Sequence, residues 1–200
     1  MGKVTHEDAA NMSVANKVSK AEWKADTTHL DSQGNTLEIA RSATLIVAAN
    51  DSSAKSKAGA DYVCNGVADD VEIQAAIDAL TGGGTVELSE GTFVLAANTK
   101  NSTNVCIYVT NDITLRGQGE ATVLKLGNSS DWDVTASGGV ITNEFNNVGD
   151  NPFNSHIIIR DLKIDVNESN QTSGGRITGT LSAISFHKTQ DCMVENVHIV

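Results

Sequence analysis

Rings, prolines and positive charge are all scarce in this chain. Its 200 residues include one proline, two tryptophans, two tyrosines and four phenylalanines. That excludes proline-rich linkers and polyproline segments, and it leaves the core to aliphatic side chains. Lys and Arg total 14 against 25 Asp and Glu, a formal net charge of −11. No basic stripe exists to neutralise phosphates, which argues against a nucleic-acid partner. The negative charge serves solubility, and it repels anionic polymers wherever cations do not intervene. No apolar run could span a bilayer, and the N-terminus lacks the charged start and apolar stretch of a signal peptide. An extracellular protein of this kind would need another way out, such as a virus particle released by lysis. Cys64, Cys106 and Cys192 are odd in number and lack metal-ligand spacing. Cys106 and Cys192 sit in strand-like patterns, so buried thiols acting as small hydrophobes are expected, with no metal site.

What abounds is Gly, Ala, Ser, Thr, Asn and Val, a mix suited to short stacked strands with tight corners. One pattern comes three times: Ile113-Thr114-Leu115-Arg116-Gly117, then Ile157-Ile158-Ile159-Arg160-Asp161-Leu162-Lys163-Ile164, then Cys192-Met193-Val194-Glu195-Asn196-Val197-His198-Ile199. Each line alternates apolar and outward positions, then reaches a residue tolerant of a left-handed backbone: Gly117, Asp161 or Asn196. Short strands joined by such one-residue corners predict a solenoid of parallel strands. Leu115, Ile159 and Val194 hold matching places, 44 and then 35 residues apart. Polar insertions at 127–155 and 167–179 account for the excess over coils in the low-to-middle twenties, and predict loops on one face.

Residues 1–40 are polar and weakly patterned, with Val14, Val18 and Trp23 lining one side of a short helical pattern. Two readings stand for this stretch: a flexible leader, or an anchoring segment that becomes ordered on a partner. Gln33-Gly34-Asn35 is a turn signal. Residues 41–82 read as entry strands and a helix. Ala43–Ala49 is a β-run, a small polar loop follows, and Ala60–Gly66 reads as a second short strand and turn. Ile73, Ala76, Ile77 and Leu80 give a helix from about Asp70 to Leu80 one apolar face. Asp69 is placed to cap it, with Glu72 completing a capping box, and Gly82-Gly83-Gly84 stops it. Placed before a strand solenoid, such a helix would plug the open end. Residues 83–200 read as the solenoid, incomplete at its C-terminus. Val200 falls inside an apolar triplet with no cap, so the expectation is a longer protein, or closure by a partner or by the chain's own oligomer.

The run Ala68 to Leu80, then Gly82 to Leu95, then Ile113-Thr114-Leu115-Arg116-Gly117-Gln118-Gly119 resembles the N-terminal part of the pectate-lyase-like right-handed parallel β-helix superfamily. The resemblance covers about residues 61–200. It implies an all-β fold: a right-handed, single-stranded parallel β-helix with an N-terminal amphipathic capping helix. That superfamily includes polysaccharide lyases, glycoside hydrolases, epimerases, surface proteins and bacteriophage tailspikes, so the resemblance implies fold far more strongly than activity. Lys17 to Asp26 is similar to leaders on phage and virus tail proteins, over a short stretch.

The candidate sites divide by the chemistry their neighbours allow. Asp69 and Asp70 read as helix-start acids rather than a metal pair. Arg116 and Arg160 occupy equivalent positions, predicting a solvent-facing ladder that continues to Glu195. The arginine and calcium-binding aspartates of pectate lyases do not map onto these positions. Asp161, Asp165, Glu168 and Asp191 are carboxylates in the late coils, where a pair at suitable separation would cleave a glycosidic bond; turn chemistry accounts for Asp161 and Asp191 as well. His187 and His198 read as surface histidines. No nucleophile elbow, zinc motif or phosphate loop is present. The acceptor-like sequences at Asn101, Asn128, Asn167 and Asn170 are what chance gives in so Asn- and Ser-rich a chain. The strongest binding clue is the insertion carrying Asp131, Trp132, Asp133, Phe145 and Phe153, because rings among polar groups suit sugar faces and hydroxyls. The same rings serve equally well to pin a long loop to the solenoid.

These readings converge on a virion surface protein of tailspike or tail-fibre type, engaging cell-surface polysaccharide, with the leader attached to virion or tail proteins and the shaft a homo-oligomer such as a trimer. No cofactor is expected in that case. The alternatives are a polysaccharide lyase or glycoside hydrolase, with calcium as cofactor for a lyase, and a structural or adhesive cell-surface β-helix.

Overall fold

The computed structural model describes residues 43–100, 103–128, 138–143, 153–171 and 181–200, together with two short strands at 29–30 and 36–37. Contacts divide the chain into Met1–Ala40 and Arg41–Val200. In the first unit β1 (His29–Leu30) and β2 (Thr36–Leu37) pair antiparallel, with His29 opposite Leu37. They flank the Gln33-Gly34-Asn35 turn signal. Val14, Val18, Trp23 and the tail-leader-like segment lie outside the described residues.

The second unit begins with β3 (Ala43–Ala48), α1 (Ala54–Gly59), β4 (Tyr62–Val63) and α2 (Asp70–Ala79). Strands then dominate: β5 (Gly84–Leu88), β6 (Gly91–Leu95), β7 (Asn98–Lys100), β8 (Thr103–Val109), β9 (Ile113–Arg116), β10 (Thr122–Leu126), β11 (Gly138–Asn143), β12 (Asn154–Ser155), β13 (Ile158–Asp165), β14 (Leu181–Ser185), β15 (Thr189–Gln190) and β16 (Met193–Ile199). Nearly every pairing between them is parallel and joins a strand to its counterpart one coil later. The result is a parallel β-helix with three walls. The first wall is β3, β5, β9 and the leading halves of β13 and β16. The second is β6, β10 and the trailing halves of β13 and β16. The third is β8, β11 and β14, with β7 antiparallel on β8.

Period-two alternation sends one side chain in two into the bore. Successive coils therefore stack like on like: Val86 on Leu115 on Ile159, Phe93 on Leu124 on Ile164, and Ile107 on Ile141 on Ile184. Val86, Leu115, Ile159, Phe93, Leu124, Ile164, Ile107 and Ile141 are fully buried. Aliphatic columns fill the bore, with Phe93 as the fully buried ring among the described residues. In the last described coil the column ends at Val194, 49% exposed.

The opening coil presents strand edges whose N–H and C=O groups need partners. On β6 and just beyond it, Asp51 Oδ1 accepts from Thr92 N–H at 2.8 Å, Asp69 Oδ2 from Val94 N–H at 2.8 Å, and Asp70 Oδ1 from Ala96 N–H at 2.7 Å. These are the alternate N–H groups that a preceding strand would have taken. On the third wall, Gln74 accepts from Tyr108 N–H at 3.0 Å and donates to its carbonyl at 3.2 Å. On the first wall, Asp61 does the same for Ile46 through its carboxylate and its own N–H. Meanwhile Ile73, Ala76, Ile77 and Leu80 of α2 are buried, as the spacing predicts. The helix plugs the bore with its apolar face, and its Asp70 and Gln74 close the rim together with Asp51, Asp61 and Asp69 from outside it.

Several expectations need correction. Asp69 makes no capping bond to α2; both its oxygens go to Gly66 and Val94, and the residue is 0% exposed. The loop after β3 contains α1, capped by Ser53, whose side chain accepts from Ser56 N–H. Gly117 is not left-handed, whereas Asp161 (φ 55°) and Asn196 (φ 51°) are. In that coil the corner lengthens into a 3-10 turn at Gly119–Ala121 with Gly119 at φ 68°. Glycine is needed at 117 for closeness instead, since a Cβ there would stand 2.8 Å from the Asp161 carbonyl oxygen. The insertion at 127–155 contains β11, buried along its whole length, so it is part third wall and part loop. Cys64 and Cys106 are buried, but Cys192 is half-buried just before β16.

Replacing Asp69 by Ala would strip partners from two N–H groups at the rim. At roughly 1–3 kcal/mol for each buried donor left unsatisfied, Asp69→Ala is expected to lower unfolding free energy by about 3 kcal/mol in equilibrium urea titration. Asp51→Ala, which frees one N–H group nearer solvent, is expected to cost about 1 kcal/mol. A loss under about 1 kcal/mol for Asp69→Ala would show that the rim does not depend on this carboxylate.

Candidate functional site

The outward positions of the first two walls form registered columns. On the first wall Thr44, Thr85 and Thr114 lead to Ile158 and Met193, and beside them Ile46, Glu87, Arg116, Arg160 and Glu195 stand on successive coils. The predicted ladder of Arg116, Arg160 and Glu195 is therefore present, extended by Glu87. Its charges pair outward in opposite directions. Arg116 reaches back to Glu87 at 2.5 Å, while Arg160 bonds Asp161 at 2.6 Å and lies 3.6 Å from Glu195. The Arg116–Arg160 step is left as a cationic pair of partly exposed guanidinium groups, about 4.8 Å apart along the sheet at the backbone. On the second wall Lys163 and Lys125 face the same solvent, with Lys125 3.5 Å from Asp165. Glu87, Asp161, Asp165 and Glu195 stand among these cations, so the face carries mixed charge.

Left-handed corners bracket the first wall. Asp112, His156 and Asp191 precede its strands at φ 60°, 57° and 53°, and Asp161 and Asn196 follow them. Asn196 donates to Asp161 Oδ1 at 3.0 Å across adjacent coils. The Arg160 and Asn196 bonds, aided by the charge of Arg116, hold the Asp161 carboxyl below its ordinary range. Near the next corner, buried Asn143 and Asn154 bond each other at 2.8 Å, and Asn154 Nδ2 donates to Asn111 Oδ1 at 2.8 Å. Buried amides that answer one another in this way fix the register of the coils.

Where β8 turns into β9, a cleft of about 590 Å³ lies against the C-terminal turn of α2. Asp78, Thr81, Tyr108, Thr110, Asn111 and Asp112 line it, over buried Ile77 and Leu80. Gln74, which holds the Tyr108 backbone, also donates to Asp78 Oδ1 at 2.9 Å. Asp112 stands 3.0 Å from His156 Nδ1. Gly83, at φ 85°, permits the close approach of the two sides, since a Cβ there would lie 2.7 Å from Asp112 Cβ. An adjoining hollow of about 330 Å³ shares Gly82, Gly83 and Asp112 and leads to Thr85 and Thr114 of the outward threonine column. Nothing in the local sequence marks this cleft: Gly82–Gly84 reads as a helix stop and Asn111-Asp112 as a turn.

Of the predicted ligand residues, Phe153 is 58% exposed and directly precedes Asn154, which bonds Asn111 of the cleft lining. Asp131, Trp132, Asp133 and Phe145 lie outside the described residues. Asp161, Asp165, Glu168 and Asp191 are spread over separate corners and are not gathered into a site. Asp161 and Asp191 are left-handed corner residues, and Asp165 accepts from Asn167 N–H at 2.8 Å. His187 and His198 are both exposed; His198 pairs with Glu120 at 2.5 Å. The one close group of metal-ligand types among the described residues is Cys64, Asp69 and Glu72, within 4.8 Å of one another. Burial, with the charge of Asp69 behind it, pushes the Cys64 thiol up and keeps it protonated. Both Asp69 oxygens are taken by backbone N–H groups. This cluster belongs to the cap.

No family model and no curated protein matches the chain. Among solved structures it is similar to the A-module of the Azotobacter vinelandii mannuronan C-5 epimerase AlgE4, at 25% identity and TM-score 0.49, over 68% of this chain and 35% of that one. It is also similar to the A-module of AlgE6 from the same organism, at 24% identity and TM-score 0.47, over 68% of this chain and 42% of that one. The chain thus spans less than half the length of either module.

A depressed carboxyl pKa favours the folded state above the group's ordinary value, 3.8 for Asp161, and that contribution fades as the pH falls through the depressed value. Arg160→Gln removes the main cause. The Asp161 carboxyl is then expected to titrate nearer 3.8 by carboxyl-carbon NMR. An unchanged titration would show that Arg160 does not hold it.

Proposed function

We propose that this chain is a polysaccharide-engaging β-helix whose working surface is the outward face of the first two walls. The observation that carries the reading is the registered column Glu87, Arg116, Arg160 and Glu195, with the threonine column beside it. A linear polymer lying along the helix axis would meet hydrogen-bonding groups at a constant step of about 4.8 Å. The adjacent Arg116 and Arg160 suit a carboxylate-bearing sugar, which would share them with Glu87, Asp161 and Glu195, because guanidinium groups bind carboxylates through paired N–H donors. The surrounding acidity sharpens this preference by confining anion attraction to that pair.

Asp161, beside this column, is held below the ordinary carboxyl range. A glycosidase acid requires the reverse shift. In its finer form the reading places the chain on a virion as a spike or fibre. Residues 1–40 would attach it to tail proteins, and the shaft would be a homotrimer.

The test is affinity electrophoresis of the whole chain through gels containing acidic or neutral polysaccharides. Retardation by an acidic polymer is expected, with Arg116→Ala/Arg160→Ala weakening it at least tenfold, the equivalent of about 1.4 kcal/mol. Equal retardation of wild type and double variant would sink the assignment to this face. New reducing ends or unsaturated uronate absorbance would transfer the reading to an enzyme. A monomer by light scattering would remove the trimeric spike.

A further inference from the structure

The loop that carries the chain from β4 into α2 holds a reactive pair. Asn65-Gly66 is the one Asn-Gly pair in the sequence, and Asn65 is exposed. The backbone nitrogen that follows an asparagine can attack the side-chain amide carbon, and glycine, which has no Cβ, shields that nitrogen least. The fold keeps glycine here: Gly66 stands at φ 87°, and a Cβ would come 3.1 Å from Asn50 Nδ2. Asn65 Oδ1 accepts from Val67 N–H at 2.8 Å, a bond that spans Gly66 and lays the side chain back along the backbone of its attacker. One group opposes the attack. The Gly66 N–H, whose proton must leave, donates to Asp69 Oδ1 at 2.7 Å. A charge-assisted bond holds that proton, and the carboxylate disfavours an amide anion beside it. The other oxygen of Asp69 accepts from Val94 N–H at 2.8 Å, so one carboxylate both restrains Gly66 and seals the β6 edge. Ala68, at φ 52°, adds strain between the two residues. A left-handed backbone is costly for an L-residue with a Cβ and persists only where its surroundings hold it.

We propose that Asn65-Gly66 is a self-modification site gated by Asp69, silent while the cap is closed and reactive when it opens. The Gly66 nitrogen bonds to Asn65 Cγ and gives its proton to solvent hydroxide. The Cγ–Nδ2 bond then breaks, and the amide nitrogen takes a proton from water and leaves as ammonia. The product is a five-membered succinimide. Water adds to one of its two carbonyl carbons and opens the ring to aspartate or to isoaspartate. The sum is one water consumed and one ammonia released, with nothing oxidised or reduced. Either product works against reclosure. Aspartate adds a negative charge to a loop whose neighbours Asp69 and Asp70 are already buried. Isoaspartate inserts a methylene into the backbone ahead of Gly66 and displaces the N–H that Asp69 accepts. An opening of the cap is thereby recorded as a covalent change.

Ageing the whole chain at mildly alkaline pH, with isoaspartate at residue 65 followed by peptide mapping and mass spectrometry, tests this. Wild type is expected to react at least tenfold faster in urea than when folded. Asp69→Ala is expected to react at least tenfold faster than wild type under folding conditions. Where that variant fails to fold, Asp69→Asn removes the charge, keeps an oxygen for one N–H, and is expected to react at least threefold faster than wild type. Asp70→Ala is the control for a weakened rim, since it frees the Ala96 N–H and leaves Gly66 bonded to Asp69. Its rate is expected to stay within threefold of wild type. Equal rates for folded and unfolded wild type, or equal acceleration by Asp69→Ala and Asp70→Ala, would overturn the gate. A wild-type chain that gains no isoaspartate at residue 65 even in urea would overturn the site itself.

Discussion

An unpaired strand edge is the constraint on which the rest of this structure depends. A parallel β-helix closes its walls sideways but not at its ends, and the opening coil leaves a row of N–H and C=O groups facing away from the stack. Here the row is answered by side chains that imitate a strand. Asp51, Asp69 and Asp70 accept from alternate N–H groups at 92, 94 and 96, and Gln74 both accepts from and donates to Tyr108. The residue types follow from the groups they meet. A carboxylate only accepts, so it suits a row of donors, whereas an amide matches an N–H and a C=O on one residue. Asp70 and Gln74 are carried by α2, which also covers the bore with Ile73, Ala76 and Ile77 and, just past its end, Leu80.

Once the first coil is sealed, each later coil is a copy laid on a template, and stacking converts sequence matches into columns. Buried columns supply cohesion by apolar burial. Outward columns carry charges that adjacent strands force close together, so Arg116 and Arg160 must find partners in opposite directions along the stack. Corners do a third task. Residues at φ near 55° turn the chain in a single step, and Asp or Asn there can also bond the next coil, as Asn196 does to Asp161. Asp and Asn tolerate that backbone because their short polar side chains bond locally.

The legibility of the sequence follows these distances. The walls were readable because their signal is local: alternation within Ile157–Ile164 or Cys192–Ile199 needs no knowledge of the neighbouring coil. The matching of Leu115, Ile159 and Val194, and of Arg116 with Arg160, was readable because a repeat compares a sequence with itself. The rim was not, since Asp69 meets Val94 and Asp51 meets Thr92 across 25 and 41 residues. A local rule sees Asp69 only as a helix cap. Gly117 misled for a related reason: the reason for glycine there is the Asp161 carbonyl one coil away, not the backbone angle. β11 was hidden because Gly138-Gly139 opens it and polar residues surround it, so its apolar residues resemble a break in a loop. The cleft was invisible because its two sides come from a helix end and a strand corner about thirty residues apart.

The same separation of tasks distinguishes the walls from the cleft beside α2. Outward groups on the walls are locked to the strand spacing, so their chemistry is periodic and suits a periodic ligand. The cleft sits where periodicity fails, at the junction between the cap and the first coil. There the end of α2 faces the corner between β8 and β9 across an open cleft, with Asp78 on one side and Asp112 on the other. Gln74 links wall and cleft physically, since the bonds that complete the third wall also position Asp78. Sealing the edge and shaping the cleft are thus one arrangement of atoms, and a change that loosens the cap must disturb the cleft beside it.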